Sequence, residues 1–487
     1  MSSAERLNTE VIVLGAGFSK AVASELPLTD ELGAEATRLA HVPRQELPRR
    51  RFKGGTFETW LSRLAEDQPY LSPAENLHNR GTFTEIIAAL VEVLRTREQA
   101  AFCRDGPGWL FEMLSVAHHR GATVITLNYD TMIEVAVASY GLWLEEGFGR
   151  RVTPDDVLGD LPPRGWPGQG AGFESVRQPV SMIGLFSGEQ RQPAPRGSTF
   201  RLLKLHGSLD WFWSPGDSTG ATLRRTTVQS HFREPRDEAE WREREAPGLE
   251  PFIVPPTATK SAYYNNPITR WVWGQATEAL RRADRITLIG YSFPQTDLVM
   301  SGMLANSARS REVILEAINT HPVVPKRHLR QLGTRPVEVI DGDDCVARFV
   351  EAYRDRVARE IVGRLRSLSG ELLDSLALLK WMEPHSAFWE PGERYLQAPL
   401  AVRGGKDLML QPMPRNVPAD SSKGIPLSEI VAKLEGVERL VVRRPDGELA
   451  PFVAMSFPGV GGDHVATFTW ARFWPAGAGP FAEPPSS

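Results

Sequence analysis

Residue types that bind phosphate or move protons stand directly after short apolar runs of this sequence. The first run, Val11–Leu14, is followed by Gly15, Ala16, Gly17 and Ser19. Because glycine has no Cβ, a ligand can approach its backbone closely, and the N–H groups at the start of a following helix attract anions. The third glycine of the dinucleotide-binding fingerprint is absent. The segment is therefore compatible with a nucleotide phosphate site and also with an ordinary strand-to-helix turn.

Five further apolar runs end in polar residues, and each run is typical of a short buried strand. Strands of this kind alternating with helices predict a parallel sheet covered on both faces, in which ligands lie beyond the carboxyl ends of the strands. All six polar groups are then expected at one crevice, although polar turns are common in any α/β protein. The five later groups are Asn128 to Asp130, His206 to Ser208, Gly290 to Ser292, Asn319, and Asp341 to Asp344.

The composition of the chain indicates a globular protein and argues against direct nucleic-acid contact, a zinc site and a membrane segment. The chain has 487 residues, of which 41% are hydrophobic and 24% charged, as in an ordinary globular protein of two or three domains. A formal net charge of -4 indicates no basic surface for direct contact with nucleic acid. The two cysteines, Cys103 and Cys345, cannot build a four-cysteine zinc site, and we expect no metal. The polar start of the chain predicts no membrane segment and a cytoplasmic location.

The order of the segments predicts two domains. Residues 1–368 are expected to form a Rossmann-like, doubly wound α/β domain with a parallel sheet, a helical subdomain at about 30–120, and loop insertions at about 150–199 and 212–262. The helical face formed by Phe57, Trp60, Leu61 and Leu64 is expected in the core. Residues 369–487 are expected to form a small α+β module with a regulatory or interaction role.

The strand-end motifs occur in the order found in the sirtuin fold. The chain resembles the sirtuin-like (Sir2-like) NAD hydrolase domains of bacterial antiphage defence effectors, and the resemblance covers residues 10–365, about three quarters of the chain. Each motif is weak by itself, whereas the ordered set is specific. The motifs are Gly15–Ser19, Thr126–Asp130, Lys204–Trp211, Ile289–Phe293 and Ile318–Asn319.

The resemblance implies NAD as the substrate and assigns roles to individual residues. It implies that Asn128 and His206 are catalytic, and that Asp130 lies with Asn128 near the nicotinamide ribose and carboxamide. An equally good interpretation makes Asp130 the cap of the following helix. The other positions implied to bind NAD are Gly15, Ala16, Gly17 and Ser19 at the pyrophosphate, Gly290 and Ser292 at the adenosine ribose, and Asn319 and Cys345 on the adenine side.

Several functions remain open at this point. The leading hypothesis is hydrolysis of NAD to nicotinamide and ADP-ribose by a gated antiphage effector. The alternatives are a sensor or scaffold that binds NAD or ADP-ribose without turnover, a protein deacylase, and an ADP-ribosyltransferase. The deacylase is disfavoured because the zinc cysteines are missing. The resemblance also implies a homo-oligomer and a partner from a defence system, such as an Argonaute-like protein, an ATPase or a signal-generating protein.

Overall fold

The computed structural model describes most of the first 356 residues and five strands beyond them. The described residues are 9–48, 52, 56–140, 152–159, 199–258, 260–294, 296–308, 312–332, 337–354 and 356, with the backbone of the five strands between 401 and 470. The expected boundary at 368/369 and nearly all of the expected insertion at 150–199 lie outside these residues. The chain divides into two compact units: Met1–Pro107 with Gly121–Gly141 and Val152–Val346, and Gly108–Arg120 with Leu142–Arg151 and Ala347–Ser487.

Nine strands lie in the described part of the first unit. They are β1 (Glu10–Leu14), β2 (Thr123–Thr126), β3 (Arg201–Lys204), β4 (Gly207–Trp213), β5 (Arg224–Arg225), β6 (Glu250–Ile253), β7 (Arg285–Ile289), β8 (Ile314–Ile318) and β9 (Glu338–Ile340). Six of them form a fully parallel sheet in the order β3-β2-β1-β7-β8-β9. The chain fills one half of the sheet outward from β1 and then the other half outward from β7. The switch point therefore lies between β1 and β7, which confirms the predicted doubly wound α/β class.

Thirteen helices lie within the described residues up to 356. They are α1 (Ala16–Val22), α2 (Thr29–Leu39), α3 (Thr56–Ala65), α4 (Pro73–Phe102), α5 (Gly108–Arg120), α6 (Met132–Tyr140), α7 (Pro154–Leu158), α8 (Glu238–Glu245), α9 (Ser261–Tyr264), α10 (Pro267–Arg282), α11 (Leu298–Ala308), α12 (Val323–Arg330) and α13 (345–354). Of the helices within the expected subdomain at 30–120, α2 to α4 belong to the first unit and α5 to the second.

Two large apolar cores lie among the described residues of the first unit. One joins the sheet strands to α10 and α11, with side chains such as Val13, Leu288 and Leu304. The other joins α2, α3 and α4. In it Phe57 and Leu61 are fully buried, whereas Trp60 and Leu64 are partly buried against them, as the helical spacing predicted. β-branched residues suit the sheet because their side chains pack well on a pleated surface buried from both sides.

The segment after β3 differs from the sequence-based expectation. The expected loop insertion at about 212–262 is preceded by His206 in a two-residue turn that leads directly into β4, and β4 extends into the insertion. β4 pairs antiparallel with β5 and β6 in a small sheet, so residues 212–262 contain regular structure as well as loops. Trp211 is buried there and stacks on Phe252. Within the charged stretch 233–250, α8 buries none of its side chains, as expected for a solvated helix.

The second unit contains a five-stranded sheet. Its strands are β10 (Ala401–Arg403), β11 (Asp407–Leu410), β12 (Arg439–Arg443), β13 (Leu449–Pro458) and β14 (His464–Trp470), paired in chain order. Only β11 and β12 pair in parallel. Among the residues with described coordinates, no helix has both the length and the apolar character needed to cross a membrane.

Candidate functional site

Two glycine turns meet where the strand order reverses. The N–H of Gly15 donates to the Ile289 carbonyl (N to O 2.9 Å), and that of Gly17 donates to the Gly290 carbonyl (3.0 Å). A Cβ on Gly17 would lie 2.8 Å from the Gly290 Cα, and a Cβ on Gly290 would lie 2.2 Å from the Phe18 nitrogen. Gly290 also has φ +65, which glycine adopts without strain. These glycines therefore allow the turns after β1 and β7 to pack backbone against backbone.

The turn after β2 joins this crossing through one hydrogen-bonded network. Asn128 Nδ2 donates to the Gly15 carbonyl (2.9 Å) and to Ser19 Oγ (2.7 Å), and Ser19 Oγ donates to Asp130 Oδ2 (2.6 Å). Asp130 Oδ1 also accepts from the Met132 N–H at the start of α6 (3.3 Å), as the capping interpretation predicted. Both amide hydrogens of Asn128 are thus used, and among the described residues no group donates to its Oδ1. Asn128 therefore offers a hydrogen-bond acceptor to a ligand.

Buried charges hold the same turn in place. Lys204 Nζ is fully enclosed and donates to the Asp130 carbonyl (2.6 Å) and to Glu134 Oε1 (2.7 Å). From the other side, Glu98 accepts hydrogen bonds from the N–H and the hydroxyl of Thr131. Burial raises the pKa of Glu98 to about 8, against the effect of the Thr131 donors. Lys204 begins the motif Lys204–Trp211, but the sequence did not indicate its partner Glu134 or Glu98, because the three residues lie on different elements.

Glu98 should make the stability of the protein depend on pH. Its pKa rises from 4.5 in the unfolded chain to about 8 in the folded one, so the folded state binds the extra proton between these values. Stability from this group is complete below pH 4.5 and is lost as the pH rises towards 8, by at most about 1.4 kcal/mol per pH unit. Glu98→Gln keeps an acceptor for Thr131 without the charge. We expect the variant to gain stability relative to wild type between pH 6 and pH 8 in thermal melts.

Glu85→Gln is the matched control, because Glu85 is exposed on the same helix α4. Its stability relative to wild type should be the same at both pH values. A difference between Glu98→Gln and wild type that stays constant from pH 6 to pH 8 would show that Glu98 does not titrate in this range.

His206 lies after β3, next to β2, which Asn128 follows, and only 6% of its surface is exposed. Lys260 Nζ lies 3.5 Å from His206 Nε2, and the ring also makes a hydrogen bond to the Leu127 backbone. Burial, together with the positive charge of Lys260, lowers the pKa of His206 to about 3. His206 is therefore a neutral imidazole at physiological pH, with its Nε2 lone pair towards Lys260.

The remaining sequence-predicted residues lie along the same edge of the sheet, with different neighbours. Ala16 is partly exposed at the start of α1, and Ser292 is exposed in the turn after β7. Asn319 Nδ2 donates to the Tyr291 carbonyl (3.3 Å), which ties the turn after β8 to the turn after β7. Cys345 is buried at the start of α13. The structure thus brings Gly15, Gly17, Ser19, Asn128, Asp130 and Gly290 into direct contact, and places His206 on the next strand.

Metal ligands are not clustered at this site. Within the described part of the chain, no three His, Cys, Asp or Glu side chains are arranged to hold a metal ion.

Comparisons with known proteins connect the chain to solved Sir2 structures. One is described as Sir2 with a p53 peptide and NAD+ (12% identity, TM-score 0.30, covering 72% of this chain and 92% of that chain). A second contains an inhibitor, 2'-O-acetyl-ADP-ribose and a deacetylated p53 peptide (11% identity, TM-score 0.28, covering 72% and 93%). A third is Sir2Tm bound to a propionylated peptide (11% identity, TM-score 0.29, covering 72% and 92%). No protein-family model and no curated protein matches the sequence.

Proposed function

We propose that this protein is an NAD+ hydrolase that cleaves the bond between nicotinamide and ribose. One observation carries the proposal: two uncharged acceptors stand at the carboxyl ends of adjacent strands beside the switch point. They are the Asn128 amide oxygen after β2 and the His206 imidazole after β3. Ligands of doubly wound sheets bind at this place in the fold.

The chemistry of NAD+ suits uncharged acceptors. The nicotinamide ring of NAD+ is already cationic, so nicotinamide leaves as a neutral molecule with the electron pair of the broken bond and needs no general acid. Positive charge develops on the ribose, and a cationic side chain close to it would oppose the reaction. Water adds to the ribose carbon and loses a proton, which gives ADP-ribose. Asn128 Oδ1 orients the water or a ribose hydroxyl, and His206 accepts the proton.

In this proposal the rest of NAD+ lies along the same edge of the sheet. Its pyrophosphate lies at the turn after β1. Gly17 contributes there mainly by close packing, because its N–H is bound to Gly290. The remaining proposed contacts are Gly15, Ala16 and Ser19 at the pyrophosphate, Asp130 at the nicotinamide ribose, Gly290 and Ser292 at the adenosine ribose, and Asn319 and Cys345 on the adenine side.

A binding protein without turnover is the second candidate. One observation favours it: the Nε2 lone pair of His206 faces the Lys260 ammonium, which must give way before His206 can accept a proton. Such a protein would hold NAD+ or ADP-ribose as a sensor or scaffold.

Product release from purified full-length protein distinguishes the two candidates. We expect nicotinamide and ADP-ribose to appear in equal amounts from NAD+ in a chromatographic assay without any acyl-lysine peptide. The sensor would be supported, and the hydrolase contradicted, if the protein binds NAD+ in calorimetry but releases no product. This result must also hold for protein isolated from phage-infected cells. If neither preparation of the protein binds NAD+ or releases product, both candidate functions are wrong.

We further propose a cellular role as a gated effector of antiphage defence in the cytoplasm. The resemblance of the ordered strand-end motifs supports this role. An NAD+ hydrolase without control would exhaust the NAD+ of its own cell, so a gate is needed. Residues 369–487, a homo-oligomer contact and a defence-system partner protein are the proposed sources of control.

A further inference from the structure

Lys260 and Asp297 form a buried ion pair next to His206. Lys260 lies just before α9 and Asp297 just before α11, and their side chains are only 4% and 5% exposed. Lys260 Nζ is 3.6 Å from Asp297 Oδ1 and 3.5 Å from His206 Nε2. Among the described residues Asp297 Oδ1 has no hydrogen-bond partner, whereas its Oδ2 accepts from the Tyr291 hydroxyl (3.0 Å). The lysine therefore bridges the histidine and the carboxylate.

His206 and both members of the ion pair are buried. The Trp273 ring lies beside the imidazole, with 6.2 Å between centroids. Glu58 accepts a hydrogen bond from Thr296 and faces the pair, and burial raises its pKa. The charged groups that act directly on His206 are Lys260 and Asp297. The other titratable groups facing the pair are Glu58, Tyr129, Tyr264 and Tyr291.

We propose that Lys260, with Asp297 as its counter-ion, is a positioning residue that keeps His206 uncharged, with Nδ1–H bound to the Leu127 carbonyl and Nε2 left as an acceptor. This inference rests on the proposed NAD+ hydrolase for its catalytic meaning. A second positive charge 3.5 Å from the ammonium would be repelled, so protonation of Nε2 is disfavoured. The Asp297 carboxylate offsets the lysine charge, so the pair adds little net positive charge near the ribose.

The distance between Lys260 and His206 also allows His206 to accept a proton from a substrate. At 3.5 Å the contact between Lys260 and Nε2 is at the long limit of a hydrogen bond. A substrate hydroxyl can take the place of the ammonium at Nε2 while Lys260 moves towards Asp297. The ion pair thus prevents protonation of His206 Nε2 by solvent, and Lys260 can still move away when a substrate hydroxyl binds there. This device differs from a histidine held by a carboxylate, which would raise the pKa of the ring.

Titration of the His206 ring by NMR tests the proposal without any turnover. The full chain carries 13C-labelled histidine, and His206→Gln assigns the resonance. The titration is followed from pH 3 to pH 8, and in wild type we expect His206 to stay neutral above pH 4, with half-protonation at about pH 3. In Lys260→Met the half-protonation pH should rise by at least one unit, a tenfold change in the protonation constant, and Lys260→Arg should restore the wild-type behaviour. Lys326→Met is the lysine control and should leave the resonance unchanged.

Two further measurements keep the test decisive. Lys260→Met leaves Asp297 without its partner, so Lys260→Met/Asp297→Asn is the second variant, in which neither charge remains. It should also raise the half-protonation pH. If both variants titrate as wild type does, burial alone keeps His206 neutral and the proposal is wrong. Where NAD+ is hydrolysed, the acid limb of the pH–rate profile should move upward in parallel. If the protein does not hydrolyse NAD+, the proposed hydrolase is wrong. The titration of the His206 ring then still decides whether Lys260 keeps this ring uncharged.

Discussion

Asn128→Ala should lower the rate of nicotinamide release from NAD+ by about 100-fold or more. The variant removes the amide oxygen that is proposed to orient the water or the ribose hydroxyl, and loss of one positioned polar group costs about this much in other transition states. A 100-fold loss corresponds to about 2.7 kcal/mol of transition-state stabilisation. Because Asn128 Nδ2 also bonds to Gly15 and Ser19, we expect a loss of stability of about 1–3 kcal/mol as well.

The measurement is kcat with saturating NAD+, together with a thermal melt to show that the variant is folded. Asn265→Ala is the control, because Asn265 is exposed and lies just before α10. It should retain the wild-type rate. A folded Asn128→Ala protein with a rate within a few-fold of wild type would exclude Asn128 from the chemical step.

Gly290→Ala should strongly destabilise the crossing of the two glycine turns. The new Cβ would lie 2.2 Å from the Phe18 nitrogen and 2.5 Å from the Gly17 carbonyl carbon, and these are backbone atoms that cannot rotate away. Alanine at φ +65 adds a backbone penalty of about 1–2 kcal/mol, and forced overpacking adds about 1–3 kcal/mol. We expect a fall of several degrees in melting temperature and loss of NAD+ binding in calorimetry.

Gly302→Ala is the matched control for this substitution. Gly302 lies in α11, and a Cβ there would have no atom within 4 Å. Because alanine favours helix by about 1 kcal/mol over glycine, this variant should be as stable as wild type or more stable. If Gly290→Ala melts like Gly302→Ala, the close contact between the turns is absent in solution.

The candidate site depends on groups that surround its sequence motifs. Lys204 and Glu98 hold the turn that carries Asn128, and Lys260 sets the environment of His206. All three are buried ionisable residues, each with a partner of opposite charge or hydrogen-bonding groups close by. Unpaired buried charge is costly, so these partners are needed once the turn is enclosed.

Local patterns of the sequence predicted much of the fold. Short β-branched runs, each bounded by polar or glycine residues, identified all six strands of the parallel sheet to within about two residues. Alternation with helices then predicted the parallel sheet, and the shared direction of its strands put the strand-end residues on one edge. β4 was missed because it follows His206 almost without a turn, where polar residues suggested a loop.

The sequence by itself determined the class of fold, the edge of the sheet where polar residues gather, and the identity of Asn128 and His206 as candidates. The first two conclusions follow from hydrophobic periodicity and from turn-forming residues, which act over a few neighbouring positions, whereas the candidacy of Asn128 and His206 rests on the resemblance of the ordered strand-end motifs. Only the tertiary structure decided that Gly17 packs on Gly290, and that Lys260 and Asp297 stand behind His206. These contacts join positions far apart in the chain, and their energies arise from burial and charge in the folded protein, which no local pattern encodes.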